Sequence, residues 1–175
     1  MGIGVTRKGM TTARSNRGFT LIELIVVIVL AGILAAVAFS RAPSKGQLTI
    51  NGQAEQLAAD LRYAQTLVQT QGQRICVDFT ASGYRLTTAA SSCATNVETA
   101  AGLTGQITLD GITLTNNLPA NRLVFGDKGV PYTDTTGTAL ASDAQLTLTG
   151  EGGTIVVRVS PVTGRVCVPS GASTC

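Results

Sequence analysis

The feature that most constrains this chain is an almost unbroken apolar run over residues 18–39, which carries a single acid, Glu23. The 21 residues from Phe19 to Phe39 would form a helix about 31 Å long, enough to cross the hydrocarbon core of a membrane. An ionised carboxylate inside a bilayer costs about 2.5–3.5 kcal/mol unless it finds a partner. A chain that keeps Glu23 in this run is therefore expected to use it.

The charges ahead of the run predict its orientation. Residues 1–18 contain no acid and four cations, Arg7, Lys8, Arg14 and Arg17. Cationic flanks stay on the cytoplasmic side, so the N-terminus is expected there. The alternative is an ordinary signal peptide or single-pass anchor, for which residues 35–38 (Ala-Ala-Val-Ala) provide a site of small residues. A signal peptide seldom carries an acid within its apolar core, which favours a retained segment.

A family resemblance rests on the stretch Gly18-Phe19-Thr20-Leu21-Ile22-Glu23-Leu24. It resembles the processing and methylation signature of type IV pilins and type II secretion pseudopilins. The resemblance implies that prepilin peptidase cleaves between Gly18 and Phe19 and that the new Phe19 amine is methylated. It also implies that the apolar helix is the assembly stem of a filament. There, Glu23 can pair with the Phe19 amine of a neighbouring subunit, neutralising two charges that lipid penalises.

The resemblance also implies a domain plan, a location and partners. Residues 1–18 are a cleaved leader, 19–40 a transmembrane and assembly helix, and 41–175 a periplasmic pilin-like domain. The protein is expected in the bacterial inner membrane as a single-pass protein with a periplasmic C-terminal domain, and later in a pilus or pseudopilus. The implied partners are other pilin or pseudopilin subunits, prepilin peptidase, an inner-membrane assembly platform and membrane lipid.

Hydrophobic periodicity predicts the fold of the remaining chain. A proline and a glycine interrupt the helix over residues 41–46, and an amphipathic helix over residues 47–71 ends at Gly72. Its apolar stripe comprises Ala54, Leu57, Ala58, Leu61, Ala64, Leu67 and Val68, and Asp60 is placed mainly on the opposite, polar side. Strands are predicted over 73–79, 84–87, 106–109, 112–115, 122–125, 145–148, 154–160 and 164–168, with a loop over 89–105. This order predicts an α+β fold, with a long N-terminal helix packed on an antiparallel β-sheet.

Two stretches in the C-terminal half narrow the resemblance. Residues 125–129 (Phe-Gly-Asp-Lys-Gly) and residues 154–166, which end in Pro-Val-Thr-Gly-Arg-Val, resemble the GspH/FimT group of minor pilins and pseudopilins. The resemblance implies a minor structural subunit. It leaves open whether the filament is a type IV pilus, an MSHA-like pilus or a type II secretion pseudopilus.

Nucleic-acid binding is the first alternative function. One branch of the group binds DNA through a Gly-Arg-x-Arg motif, and the matching residues here are Gly164-Arg165-Val166-Cys167, in which the second arginine is a cysteine. Beyond residue 18 the chain has nine Lys/Arg and ten Asp/Glu, a formal net charge of −1, and it contains no Trp. This charge disfavours a DNA contact at Arg165 and nucleic acid as a partner. A membrane-anchored periplasmic binding module is the second alternative.

The four cysteines predict disulfides, because an oxidising periplasm and an even count favour pairing. The preferred pairs are Cys76–Cys93 and Cys167–Cys175, both local in sequence. Alternation places Cys76 and Cys167 on the outer faces of their strands, where each can tie down a loop. The alternative is Cys76–Cys167 with Cys93–Cys175.

Catalysis, a cofactor and a metal site are not predicted. The chain has no histidine, which removes the conventional nucleophile pairs and histidine metal triads. The glycine-rich stretch over residues 150–153 lacks the lysine and the following helix of a phosphate-binding loop. Asp127, Asp134 and Asp143 match no calcium-loop spacing and are interpreted as turn residues.

Overall fold

The computed structural model describes residues 20–40, 44–88 and 92–168. The chain separates into two compact units, Met1–Ala42 and Pro43–Cys175. The first contains helix α1, Leu21–Ser40, which begins after Thr20, where the Glu23 backbone N–H donates to Thr20 Oγ1 at 3.3 Å. Within the described ranges, no helix combines the length and the apolar character needed to span a membrane.

The second unit begins with helix α2, Lys45–Gln71. Ser44 caps it by accepting a hydrogen bond from the Gln47 backbone N–H, and Gln47 Oε1 accepts one from the Ser44 backbone N–H. This reciprocal capping box starts the helix two residues before the predicted boundary. The C-terminal boundary is confirmed, because Gly72 ends the helix in the left-handed conformation, with φ of 67°.

Ten strands follow α2 in the described residues. They are β1 Ile75–Thr80, β2 Gly83–Thr88, β3 Thr95–Asn96, β4 Ile107–Thr108, β5 Ile112–Asn116, β6 Arg122–Phe125, β7 Pro131–Tyr132, β8 Ala144–Gly150, β9 Gly153–Val159 and β10 Val166–Cys167. All eight predicted strands are present, although β4 and β10 are two residues long and shorter than predicted. The two-residue strands β3 and β7 were not predicted, and β3 lies inside the predicted loop over residues 89–105.

The strands form two antiparallel sheets where the sequence predicts one. The six-stranded sheet has the order β3-β2-β1-β6-β7, with β4 also paired to β2, and the four-stranded sheet has the order β10-β9-β8-β5. Alternation predicts which residues share a face of a strand, but long-range pairings such as β1 with β6 and β5 with β8 decide sheet membership. The α+β class is confirmed, and α2 contacts strands of both sheets.

One hydrophobic core joins α2 to the two sheets. The predicted stripe of α2 is buried in it, together with Ile50. In β1, Ile75, Val77 and Phe79 enter this core, as alternation predicts, whereas Cys76 belongs to a second, smaller cluster. The placement of Asp60 on the polar side is wrong: it is only 1% exposed. Asp60 lies three residues after Leu57, and that helical spacing places both on the same face.

Candidate assembly helix and supporting contacts

Helix α1 presents an apolar surface on all sides. Every described side chain from Leu21 to Ala36 is exposed, including Leu21 at 76% and Leu34 at 70%. A helix that is hydrophobic all round is stable when an apolar environment surrounds it, either lipid or other helices. The described residues of α1 therefore form a surface suited to burial against something outside this chain.

Glu23 lies in the first turn of this apolar helix and is its only acid. A negative side chain near a helix N-terminus is favoured by the helix dipole, and a positive group beside it would offset the cost of burial. The two residues predicted to form the processing site, Gly18 and Phe19, lie outside the described residues. The roles of Gly18, Phe19 and Glu23 stay predictions.

A disulfide joins Cys76 on β1 to Cys93 in the segment after β2. This is the first of the two preferred pairs predicted from the sequence, and it is incompatible with the alternative pairing. The disulfide and Val124 form the small cluster on the outer face of the six-stranded sheet, with Tyr132 packed against it. Cys167 is also disulfide-bonded. Its predicted partner, Cys175, lies outside the described residues.

Arg165 lies at the end of the turn between β9 and β10, and its side chain is exposed. The turn is fixed by its backbone, since the Ser160 N–H donates to the Arg165 carbonyl at 3.0 Å. The Arg165 N–H also donates to Thr163 Oγ1 at 3.3 Å. Among the described residues, no hydrogen bond or ion pair engages the Arg165 guanidinium, and its DNA contact stays a prediction.

The two stretches that carry the subgroup resemblance meet on α2, which sequence reasoning missed. Gln65 Nε2 donates to the Gly129 carbonyl at 3.1 Å and to the Thr163 carbonyl at 2.9 Å. Gln69 Nε2 donates to the Lys128 carbonyl at 3.3 Å. Long amides on the helix thus fix two turns that are separated by more than thirty residues in the sequence. The sequence held two hints of this contact. Gly129 and Gly164 leave room for a close approach in the two turns, and Gln65 and Gln69 lie one helical turn apart on α2.

A buried polar pair holds α2 to the six-stranded sheet, and sequence reasoning missed it as well. The Tyr84 hydroxyl donates to Asp60 Oδ2 at 2.6 Å, and the Ala100 backbone N–H donates to Asp60 Oδ1 at 2.9 Å. Burial, and then the hydrogen bond and charge of Asp60, raise the pKa of Tyr84 well above its ordinary value. Both carboxylate oxygens of Asp60 accept a hydrogen bond inside the fold, as a buried carboxylate requires.

The three aspartates considered for calcium do not converge. Asp134 closes its own turn, where its Oδ1 accepts the backbone N–H groups of Thr136, Gly137 and Thr138. The Thr138 hydroxyl and these neighbouring donors hold the pKa of Asp134 below its ordinary range. Asp143 faces Arg158, with the nitrogen and oxygen 3.9 Å apart. Among the described residues, no group of three or more potential metal ligands is present.

Two family models match the chain. The prokaryotic N-terminal methylation motif matches residues 13–39. The model of type II transport protein GspH matches residues 53–164, which is more than half of the chain. Comparison with curated proteins gave no match.

Solved structures share the fold. The minor pseudopilin EpsH from the Type 2 Secretion System of Vibrio cholerae aligns over 71% of this chain and 98% of its own, at 15% identity and a TM-score of 0.55. The type IV minor pilin FimU of Pseudomonas aeruginosa aligns in two crystal forms. One gives 18% identity, a TM-score of 0.50 and coverage of 70% of this chain and 94% of FimU. The other gives 17% identity, a TM-score of 0.52 and coverage of 71% of this chain and 90% of FimU.

Proposed function

Since the chain belongs to the GspH family of type II transport proteins, as a minor pilin or pseudopilin subunit, we propose that its N-terminal segment is processed and assembled as a filament stem. The family consists of structural subunits that assemble with other pilin subunits. In this proposal, residues 1–18 are the leader, residues 19–40 the assembly helix and residues 41–175 the outer domain.

The proposed pathway begins in the inner membrane. Prepilin peptidase cleaves between Gly18 and Phe19 on the cytoplasmic side, the Phe19 amine is methylated, and the apolar helix holds the protein in lipid. An assembly platform in that membrane then transfers the subunit into a pilus or pseudopilus, with the domain on the periplasmic side. The membrane position rests on the length and apolarity of residues 19–39 and on the cations before them.

In the filament, α1 packs against the corresponding helices of other subunits. Its apolar side chains leave lipid on assembly, and close packing against the neighbouring helices replaces their contacts with lipid. Glu23 pairs with the Phe19 amine of a neighbour, which removes two unpaired charges from the apolar bundle. The pairing also selects one axial register, because a shifted helix would leave the carboxylate unpaired.

The observation that carries this proposal is the coincidence of the methylation-motif match with the exposed apolar helix. The match covers residues 13–39, and the described part of α1 from Leu21 to Ala36 is exposed throughout. Mass spectrometry of the protein taken from its native envelope tests the processing step. We expect a mature chain that begins at a methylated Phe19. A chain that still begins at Met1, or one found free of the membrane after cleavage beyond residue 35, would contradict the proposal.

The role of Glu23 is tested by Glu23→Leu and Glu23→Gln in cells that assemble the filament. We expect both variants to be processed and held in the membrane but to reach filaments at about one tenth of the wild-type level or less, since an unpaired amine in apolar surroundings costs several kcal/mol. Glu55→Gln, which removes an exposed acid of α2, is the matched control and should assemble normally. Normal incorporation of Glu23→Leu would exclude the charge pairing.

A further inference from the structure

The outer face of the six-stranded sheet, the side turned away from α2, is only half covered. Near one end of β1, Cys76 and Val124 are buried beneath the segment that the disulfide ties down. Alternation along β1 places Asp78 on this same face, two residues beyond Cys76. Asp78 lies past the covered part, and the residues beside it remain accessible.

Asp78 lies between two arginines on the neighbouring strands. The register places Asp78 directly opposite Arg85 of β2 and opposite Arg122 of β6. Arg85 Nε donates to Asp78 Oδ2 at 3.2 Å, and Arg122 Nε donates to Asp78 Oδ1. The side chains of Arg85, Arg122 and Asp78 are 46%, 32% and 14% exposed. Together, Arg85, Arg122 and Asp78 form the arginine pair site.

The arginine pair site carries a net positive charge. Two guanidinium groups share one carboxylate, so the site carries a formal excess of one positive charge. Each arginine uses only Nε toward Asp78, and within the described ranges no hydrogen bond or ion pair occupies the terminal NH2 groups of Arg85 or Arg122. Those groups form the end of the guanidinium fork that binds a carboxylate or phosphate through two parallel bonds.

We propose that the arginine pair site docks acidic side chains on the surface of a neighbouring filament subunit. Asp78 acts as the positioning residue, since it orders both guanidiniums before the partner arrives and so lowers the entropy cost of binding. The choice of partner rests on the proposed function. The position of the site, on the open half of the outer sheet face, leaves it accessible to another protein surface.

Two separate carboxylates on a protein surface suit the arginine pair site. Arg85 and Arg122 lie on strands on either side of β1, so their backbones are about 10 Å apart, two strand spacings. Each guanidinium contacts Asp78 through Nε alone, so each has its own terminal NH2 groups to offer to a partner carboxylate. A neighbouring subunit that presents two acidic side chains therefore matches both arginines.

The first test measures binding of a fluorescent hexaglutamate peptide to the full chain in detergent at low salt. The main variant is D78N/R85Q/R122Q, which removes the whole site without leaving Asp78 unpaired. We expect the peptide to bind the wild type and to bind this variant at least about tenfold more weakly, since the contacts of both guanidinium groups to charged groups are lost together. Arg165→Gln, which removes an exposed guanidinium elsewhere, should stay within about twofold of wild type.

Two results of this test would overturn the proposal. One is equal binding of hexaglutamate to the wild type and the triple variant. The other is tighter binding of a polyphosphate probe than of hexaglutamate, lost in the triple variant, which would assign the site to a phosphate ligand. Thermal unfolding of each variant confirms that the fold is intact, and the single substitution Arg85→Gln provides a milder test at the most exposed position.

The second test separates the docking site from the proposed function. In assembling cells, the triple variant should be processed at Phe19 as the wild type is, but its share in filaments should fall at least about fivefold, whereas Arg165→Gln should assemble normally. Equal incorporation of the triple variant would overturn the docking role. Absence of the wild type itself from filaments, with hexaglutamate binding intact, would overturn the proposed function and the identity of the partner.

Discussion

At the scale of single residues, the buried contact between Asp60 and Tyr84 is the most consequential in the domain. Both residues are almost fully buried, at 1% and 0% exposure. Tyr84 also lies among the largest buried side chains, so its ring fills the core while its hydroxyl satisfies the carboxylate. A contact of this kind fixes the position of α2 on the sheet more specifically than apolar packing does.

The first prediction concerns Tyr84→Phe. Removing the hydroxyl leaves Asp60 Oδ2 buried without its donor, and we expect the free energy of unfolding to fall by about 2 kcal/mol. Urea denaturation of the two proteins measures this difference. Tyr63→Phe is the control, because Tyr63 is only partly buried and no hydrogen bond involves its hydroxyl among the described residues. An equal loss in both variants would contradict the role of the contact.

The second prediction is a pH dependence from the same residue. The pKa of Tyr84 is raised in the folded protein, so above pH 10 or so the unfolded chain loses this proton while the folded chain keeps it. The stabilisation is complete below that pH and is lost as the pH rises, by at most about 1.4 kcal/mol per pH unit. Stability curves from pH 8 to 11 should fall more steeply for wild type than for Tyr84→Phe. Parallel curves would contradict the assignment.

At the scale of elements, glycines set how closely the turns approach α2. Gly164 has φ of 66°, and a Cβ added there would overlap the Gly129 carbonyl oxygen and approach Gln65. Gly46, in the first turn of α2, permits a similarly close approach, since a Cβ there would lie 2.9 Å from the Gly152 backbone nitrogen. The predicted interruption over residues 41–46 is therefore wrong in including Gly46: this glycine is helical, and its lack of a side chain admits the β8–β9 turn.

The third prediction compares two glycines with the same backbone conformation. Gly164→Ala should destabilise the domain by about 3 kcal/mol, from left-handed strain of about 1–2 kcal/mol and the overlap with Gly129. Gly72→Ala has almost the same φ, 67°, but nothing within 4 Å of the added carbon. It should cost only about 1 kcal/mol. Chemical denaturation measures both, and equal losses would show that close approach contributes nothing.

At the scale of the whole molecule, the two units differ in where their apolar side chains lie. The helix α1 exposes them throughout its described part, whereas the hydrophobic core of the described residues lies within Pro43–Cys175. A domain with its own core can fold before assembly, and an exposed apolar helix gains stability only from its surroundings. This division suits a subunit that is first held in lipid and then joins a helical bundle.

The fourth prediction concerns the disulfide on the outer face of the six-stranded sheet. The Cys76–Cys93 disulfide has a sequence separation of 17, and removing it with Cys76→Ser/Cys93→Ser should lower stability by about 3 kcal/mol through the freed loop. We also expect faster proteolysis at the exposed Glu98, because the segment after β2 would no longer be joined to β1. Thermal unfolding and limited digestion with a glutamate-specific protease measure these changes. An unchanged melting temperature would show that the loop is held by packing alone.

The sequence by itself determined features that depend on local periodicity. The apolar run, the buried stripe of α2, its end at Gly72 and eight of the ten described strands follow from spacing along the chain, because helices and strands repeat over a few residues. The α+β class follows from the order of these elements. The pairing of Cys76 with Cys93 was also accessible, since the two residues are close in sequence and Cys76 lies on an outer face.

Only the tertiary structure decided which distant residues meet. Local patterns do not encode the split into two sheets, the junction of two turns at Gln65, or the burial of Asp60 by Tyr84. The two arginines around Asp78 likewise become neighbours through the register of β1 with β2 and β6. Each of these contacts joins separate elements, and its free energy depends on packing, which the spacing of residues along one element does not specify.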